Sequence, residues 1–533
     1  MVVGVEPGEV AASSAQTARP GSLRAHLVEP TTFVRIVELV TTRGPLAAAN
    51  AARVVALGTD LARMGTVHAL SITDNAGGHP GLAPESLGAR LRAQGQEVMV
   101  HLSCKDLNRN GLESRAWALA AAGFENVLCL SGDYPGSGYR GQGAPVFDFD
   151  AIALLELLRE MNRGLRTAAS TLPPTSFFLG AAVSPFKRYE RELMPQYFKL
   201  ARKIAAGAAF AISQIGFDAR KFDELRRYTT LMGLDVPLIA NVCRLSVPMA
   251  RYFHRGAVPG VVVTDELLAL VERQAASPDK GKRFFHELAA RQVAIARGLG
   301  YRGAYLGGHL KPDEVETIFA MADAFGRDDW RSFAGEIQFA QPGEFYYFAP
   351  DDATGLNSNE INRDYLADRT PEARRARRAR APLAYRLNRS VHDRVFAEGS
   401  VGFRLGRRLY ERIDNAPSAR RWLHVAEQAV KIPLFGCRDC GDCSLPEIAY
   451  LCPESQCPKN QRNGPCGGSH AGLCEVSDRE CIWARAYERL KAYGEAETML
   501  DRPIVVRNGG LRGTSAWANC FLGRDHQSKR ENS

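Results

Sequence analysis

A chain of 533 residues, 45% hydrophobic and 24% charged, is long enough for more than one buried core and has the composition of a soluble globular protein. No stretch approaches the roughly 20 continuous apolar residues of a spanning helix, and Glu6 and Glu9 stand where a secretory leader would be basic and then apolar, so the expectation is a cytoplasmic protein with no membrane partner. The formal charge of +9 does not argue for a nucleic-acid partner: the densest basic run, Arg374 to Arg380, lies among alanines without interleaved aromatics and reads as a solvated helix face or linker. A mild basic excess also suits the steering of an anionic small molecule.

Residues 1–30 are rich in Ala, Ser, Pro and Gly without an apolar period and read as a disordered lead-in. β-Branched or apolar runs then recur at residues 33–39, 67–73, 97–103, 126–132, 177–183, 210–217, 236–242 and 303–308, with longer amphipathic stretches between them. From Pro45 to Gly65 the spacing is helical, with Pro near the start and Gly at the stop; before "AIALLELLREMNRG" either Asp148 or Asp150 suits an N-cap. Eight strands alternating with helices over residues 31–330 predict an α/β fold, a closed (β/α)8 TIM barrel, in preference to an open doubly wound sheet. Residues 331–394 read as a connector and 395–500 as a small cysteine-rich metal-binding domain whose helix starts at Cys481. Residues 501–533 read as a loose tail.

In such barrels the chemistry collects at the C-terminal ends of the strands. Polar groups accumulate there: Glu38 on the first strand, "SITDNAGG" after the second, "VHLSCKDLNRN" at the third, "CLSGDYPG" at the fourth and "ISQIGFD" at the sixth. One polar strand end is loop chemistry; five together suggest a site, although on alternation alone Glu38 reads better as a surface glutamate. Gly136, Gly138 and Gly141 have dinucleotide-binding spacing, but Gly143, Pro145 and "VFDFD" separate them from the next helix, which excludes a Rossmann turn.

The segments "TDNAGG", "HLSCKDLNRN", "NVLCLSGDYPG", "PVFDFD" and "KIAAGAAFAISQIGFD", in that order after Glu38, resemble the methylenetetrahydrofolate reductase family over nearly the whole barrel. The resemblance implies a flavin-dependent barrel, with FAD or FMN, that reduces 5,10-methylenetetrahydrofolate to 5-methyltetrahydrofolate with electrons from NAD(P)H or an electron-transfer protein. It implies Glu38 as general acid and Asp133 as the aspartate between flavin and folate. Thr73, His101, Ser131, Gly132, Phe147, Asp148 and Lys203 fall at flavin-holding positions, and Gln214 matches the glutamine that orients the pterin. A homo-oligomer is expected. The sequence departs from the family at Thr41-Thr42, where Pro-Pro is familiar, at Ser131, where arginine is frequent, and around Ser184, where an aromatic is common.

Eight of the twelve cysteines, Cys437, Cys440, Cys443, Cys452, Cys457, Cys466, Cys474 and Cys481, are spaced C-x2-C-x2-C-x8-C-x4-C-x8-C-x7-C-x6-C. In a reducing compartment that pattern reads as metal ligation, with thiolates enough for two four-ligand sites. The segment resembles the C-terminal domain fused to or partnered with some methylenetetrahydrofolate reductases, which implies iron–sulfur clusters that carry electrons or a structural zinc. Cys104, Cys129 and Cys243 read as core residues of the barrel. Two other readings stay open: a folate-dependent methyltransferase with a metal-assisted site, and a non-catalytic scaffold.

Overall fold

A computed structural model describes residues 19–527. Eight parallel strands pair in chain order and close between the first and the last: β1 Val34–Leu39, β2 Ala69–Ile72, β3 Val98–Ser103, β4 Asn126–Leu130, β5 Phe178–Val183, β6 Phe210–Ser213, β7 Leu238–Cys243 and β8 Gly303–Gly307. Each expected run is one barrel strand. The surrounding helices are α1 Ala49–Met64, α2 Pro84–Arg92, α3 Arg109–Ala121, α4 Ala151–Arg163, α5 Glu190–Ala205, α6 Ala219–Leu231, α7 Lys282–Gly298 and α8 Pro312–Ala324; Val247–His254 and Asp265–Gln274 are inserted after β7. Helix α1 stops at Gly65 in the left-handed region (φ 65°), which only glycine adopts without strain.

Alternation along β1 decides what enters the barrel. Val34 and Ile36 join Ala69, Met99, Phe210 and Tyr305 in the interior cluster, whereas Val37 and Leu39 pack outward under the helices. With a period of two, Glu38 continues the interior row at the C-terminal mouth. Register places it beside Ser71 of β2, with Ile36 beside Tyr305 of β8.

Part of the expected disordered lead-in is ordered; residues 1–18 lie outside the described residues. Ser22 caps a helix, Leu23–Val28, whose Leu23 and Leu27 are at most 1% exposed and belong to the interior cluster. This helix closes the N-terminal end of the barrel.

The segment after the barrel is more than a connector. It forms a helix Asp329–Glu336, a two-stranded ribbon of Phe348–Pro350 with Asn357–Ile361, and helices Arg363–Ala367, Pro371–Arg380 and Leu383–Val391. Tyr347, Phe348, Tyr365 and Tyr385 are buried in one cluster with Tyr197 and Tyr228 of the barrel helices and Ile448, Trp483 and Tyr487 of the cysteine-rich region, so barrel and module share a core. The arginine run lies on Pro371–Arg380, a helix with no buried residue, in keeping with a solvated face. Arg378 nevertheless donates to the carbonyls of Ala492 and Tyr493.

The loose tail is corrected for residues 501–527. Val505 N donates to Asn463 Oδ1 (2.7 Å) and Asn508 N to Asp442 Oδ2 (2.7 Å). Helix Ala516–Phe521 contributes Ala518 and Phe521 to a small core with Tyr410. Gly441 permits this approach, since a Cβ there would stand 1.8 Å from the Leu511 carbonyl oxygen.

Candidate functional site

The mouth of the barrel holds a buried polar relay. Tyr305 Oη donates to Glu38 Oε2 (2.8 Å) and lies 3.5 Å from His101 Nε2, which is 2.8 Å from Ser71 Oγ. Burial raises the Glu38 pKa above the ordinary carboxyl value, opposed by the Tyr305 hydrogen bond. Burial also pushes His101 down to about 4, against the weaker pull of Asp74, so its ring is neutral near pH 7. A carboxyl group that keeps its proton more readily than in water, at a strand end in a barrel mouth, is equipped for general acid work.

Unmet hydrogen-bonding capacity adjoins it. Gly307 of β8 carries no side chain, and a Cβ there would lie 3.6 Å from Glu38 Oε1 and 4.0 Å from Asn241 Oδ1. Asn241 Oδ1 and Thr73 Oγ1 are buried without a partner, which is costly unless a ligand or water meets them. Sequence reading missed Ser71, Asn241 and Tyr305. Only their phase along β2, β7 and β8 marked them, and phase does not separate a polar core residue from a site residue.

The cysteine-rich module covers the opposite side of the mouth. Gln461 Oε1 accepts from Ser131 Oγ (3.0 Å) and from Lys199 Nζ (3.2 Å), and Lys459 Nζ donates to the Gly132 carbonyl (2.8 Å). Asn463 donates from its backbone and side-chain nitrogens to Asp150 (2.8 and 3.2 Å). Lys187 Nζ donates to the carbonyls of Gly467 and Ser469 (2.5 and 2.6 Å), and Arg202 to that of Asn463 (2.9 Å). Gln461 and Asn463 are at most 1% exposed, so this is a sealed interface. Asp150, not Asp148, caps α4, accepting from Ile152 N and Ala153 N.

The positions that the resemblance assigns to flavin are therefore engaged by the protein itself. Besides Ser131 and Gly132, Asp148 is bound by Arg109 through Nε (2.8 Å) and NH2 (2.9 Å), and Asp133 Oδ2 accepts from Gly77 N (2.8 Å). Lys203 Nζ donates to the Ala182 carbonyl (2.6 Å), and burial next to Lys199 pushes it down to about 7. Phe147 is 1% exposed and stacks on Tyr134. Gln214 Nε2 donates to the Pro259 carbonyl (3.0 Å). Thr73 alone among these residues has an unmet group. With residues 459–469 seated, Ser131 and the Gly132 carbonyl are met by Gln461 and Lys459. The cause is tertiary: the chain returns to the mouth some 330 residues after β4, a contact that the barrel motifs do not encode.

The eight thiols separate into two sets of four. Cys437, Cys440, Cys443 and Cys452 line one cleft, of ≈ 380 Å³ counting its open mouth, together with Lys431 and Arg462. Cys457, Cys466, Cys474 and Cys481 neighbour one another: Cys457 is pushed up to about 12 by burial, with Cys481 and Cys474 adding to it, and Cys466 is raised by burial, Glu475, Cys457 and Cys481. Among the described residues no three or more His, Cys, Asp or Glu side chains are gathered closely enough to hold a metal ion. The four thiols of the first cleft are of the chemistry that suits either zinc or an iron–sulfur cluster. Cys104, Cys129 and Cys243 are at most 2% exposed, with pKa values raised by burial, as core thiols are. The glycine-spaced loop forms a small hairpin, Ser137–Gly138 with Gly141–Gln142, and no Rossmann turn.

Fold and site together define a (β/α)8-barrel protein with a protonatable carboxyl in its mouth and a cysteine-rich module sealed onto that mouth. Residues 49–293 match the family described as methylenetetrahydrofolate reductase, and residues 416–508 match the domain described as methylene-tetrahydrofolate reductase C terminal. The barrel thus resembles the methylenetetrahydrofolate reductase family over residues 49–293, and the module resembles that family's C-terminal domain over residues 416–508. Among curated proteins, the 5,10-methylenetetrahydrofolate reductase of Pectobacterium carotovorum subsp. carotovorum is 28% identical over 153 residues, 28% of this chain and 45% of that protein. A probable methylenetetrahydrofolate reductase (NADPH) of Caenorhabditis elegans is 26% identical over 148 residues, 28% of this chain and 20% of that protein. The chain thus spans less than half the length of these relatives. A solved structure of an uncharacterized protein from Clostridium thermocellum, described as binding two copies of 5-methyl-5,6,7,8-tetrahydrofolic acid, has a TM-score of 0.41 at 11% identity, covering 56% of this chain and 97% of that one. No described helix is long and apolar enough to cross a membrane.

Proposed function

We propose that the barrel reduces 5,10-methylenetetrahydrofolate to 5-methyltetrahydrofolate, with Glu38 as the acid and the thiols of the module as the electron route. The observation that carries this reading is the enclosed Glu38 carboxyl, its pKa raised by burial, beside the side-chain-free Gly307 and the unpartnered Asn241 Oδ1. Glu38 transfers its proton to N10 of the folate, the bond from N10 to the methylene carbon breaks, and an iminium forms at N5. Two electrons and a second proton then convert the methylene carbon to methyl. Tyr305 holds the carboxyl in place, and a positioned acid of this kind is worth about 10²- to 10⁴-fold in rate. Asp133 and Gln214 are the proposed contacts to the pteridine, Gln214 on exchanging its bond to Pro259.

The reducing equivalents reach the mouth from NAD(P)H or from a one-electron carrier. Cys437, Cys440, Cys443 and Cys452 would hold one iron–sulfur cluster and Cys457, Cys466, Cys474 and Cys481 the second; bound clusters supply one-electron storage. The second set adjoins the barrel, since Cys466 acts electrostatically on Lys187, Lys199 and Lys203. FAD and FMN, implied by the resemblance, take no part in this reading because Gln461 and Lys459 of the module occupy Ser131 and Gly132. The same covering favours a second reading, a non-catalytic scaffold that presents the module to another protein.

Anaerobically purified, metal-loaded protein is expected to form 5-methyltetrahydrofolate with reduced viologen, NADH or NADPH while carrying no stoichiometric flavin. Stoichiometric FAD or FMN in active protein would show that residues 459–469 withdraw in solution. No product with any donor would leave the scaffold.

A further inference from the structure

The module carries apolar surface that the barrel does not cover. Helix Val401–Ile413 is apolar on two sides. Phe403, Tyr410 and Ile413 pack in the small core with Ala518 and Phe521. Val401, Leu405 and Leu409, spaced four apart in one stripe, are 64%, 59% and 51% exposed. Helix Pro417–Phe435 packs beside it, places Leu423 in the same core and leaves Trp422 70% and Val425 61% exposed. An exposed second apolar side on a helix of this kind is the feature expected of an interaction site.

Two further features say what covers it. Exposed Arg404, Arg408, Arg420 and Arg421 are interleaved with these apolar residues. The helix that bears Trp422 and Val425 also turns Gln428, Lys431 and Phe435 to the cleft of Cys437, Cys440, Cys443 and Cys452. We propose that this arginine-rimmed apolar face is the docking surface for a small acidic electron-carrier protein. The inference rests on the reading of the thiols as an electron route. Docked there, the carrier stands beside the outer thiol set, with its acidic rim against the arginines and its apolar centre over the stripe. A second copy using the same face about a two-fold axis would set arginine against arginine. An anionic bilayer would satisfy the charges, but a bilayer has no use for the thiol cleft on the same helix.

The test is calorimetric titration of the full metal-loaded chain with an acidic bacterial ferredoxin and, separately, a flavodoxin, at low and moderate salt. At least one is expected to bind with salt-sensitive affinity, weakened about tenfold or more by Leu405→Glu with Trp422→Glu and by Arg404→Glu with Arg408→Glu. Folate reduction by reduced viologen should be the same in both variants as in the unaltered chain, so a failed reductase reading shows separately as absent turnover in all three. Binding that neither variant weakens, or no binding of either carrier, overturns the proposal. So does a dimer that the variants dissolve in light scattering, or co-sedimentation with phosphatidylglycerol-containing vesicles that the variants abolish.

Discussion

At Glu38 a single carboxyl group is asked to be both buried and useful, and the two demands meet in its pKa. Burial favours the protonated form, so the folded-state value lies above the unfolded one. The native state therefore binds the proton more tightly, and stability is greatest below the unfolded pKa and falls as pH rises through the folded value. Glu38→Gln is accordingly expected to raise the melting temperature at neutral and alkaline pH, with the gain vanishing under acid conditions, while lowering folate reduction by about 10²- to 10⁴-fold. A variant that turned over at the unaltered rate would remove Glu38 from the chemistry. Tyr305→Phe tests the relay. The hydroxyl donates to the carboxylate and lowers its pKa, so losing it is expected to move the alkaline limb of the rate profile upward in pH; an unmoved limb would mean that Tyr305 only fills space. Glu38 was singled out by the family resemblance, since its strand-end pattern alone favoured a surface glutamate, whereas Tyr305 stood unremarked in "GAYLGG".

At the scale of elements, α4 shows how one residue serves two purposes. Asp150 Oδ1 caps the helix, and its Oδ2 accepts from Asn463 N of the module. Asp150→Ala is expected to cost about 1 kcal/mol for the cap and a further 1–3 kcal/mol, roughly, for the module N–H left unpaired in a buried interface. A denaturant midpoint change no larger than a cap alone accounts for would mean that the segment 459–469 does not hold in solution. A double-mutant cycle with Asn463→Ala isolates the coupling, expected to be favourable because both side chains are buried and in contact. The strands and α1 were readable because period and stop signals are local. The helix Leu23–Val28 was not, since the surface that buries Leu23 and Leu27 is built from residues far along the chain.

For the whole molecule, the division of the eight thiols makes a counting prediction. Cys440→Ser and Cys466→Ser are each expected to remove about half of the bound iron, as one site of two, with the other half and its absorbance retained. Loss of all metal from either variant would make the eight ligands one cooperative unit. Loss of the inner set should also loosen the barrel mouth, because Cys466 lies between Gly464 and Gly467, whose carbonyls accept from the buried Lys199 and Lys187. That effect is expected as faster proteolysis between residues 459 and 475 in Cys466→Ser than in Cys440→Ser; equal rates would count against it.

The sequence by itself determined the barrel, because eight apolar runs alternating with amphipathic helices leave a parallel closed sheet as the way to bury them all, and its cysteine spacing set eight thiols apart in one module. Tertiary structure alone decided which thiols stand together, that residues 19–30 and 501–527 are part of the folded body, and that the module lies on the barrel mouth. The reason is physical: period and spacing record the geometry of neighbours in the chain, whereas Ser131 meeting Gln461 or Asp150 meeting Asn463 joins residues more than 300 positions apart through complementarity that only the packed interface creates.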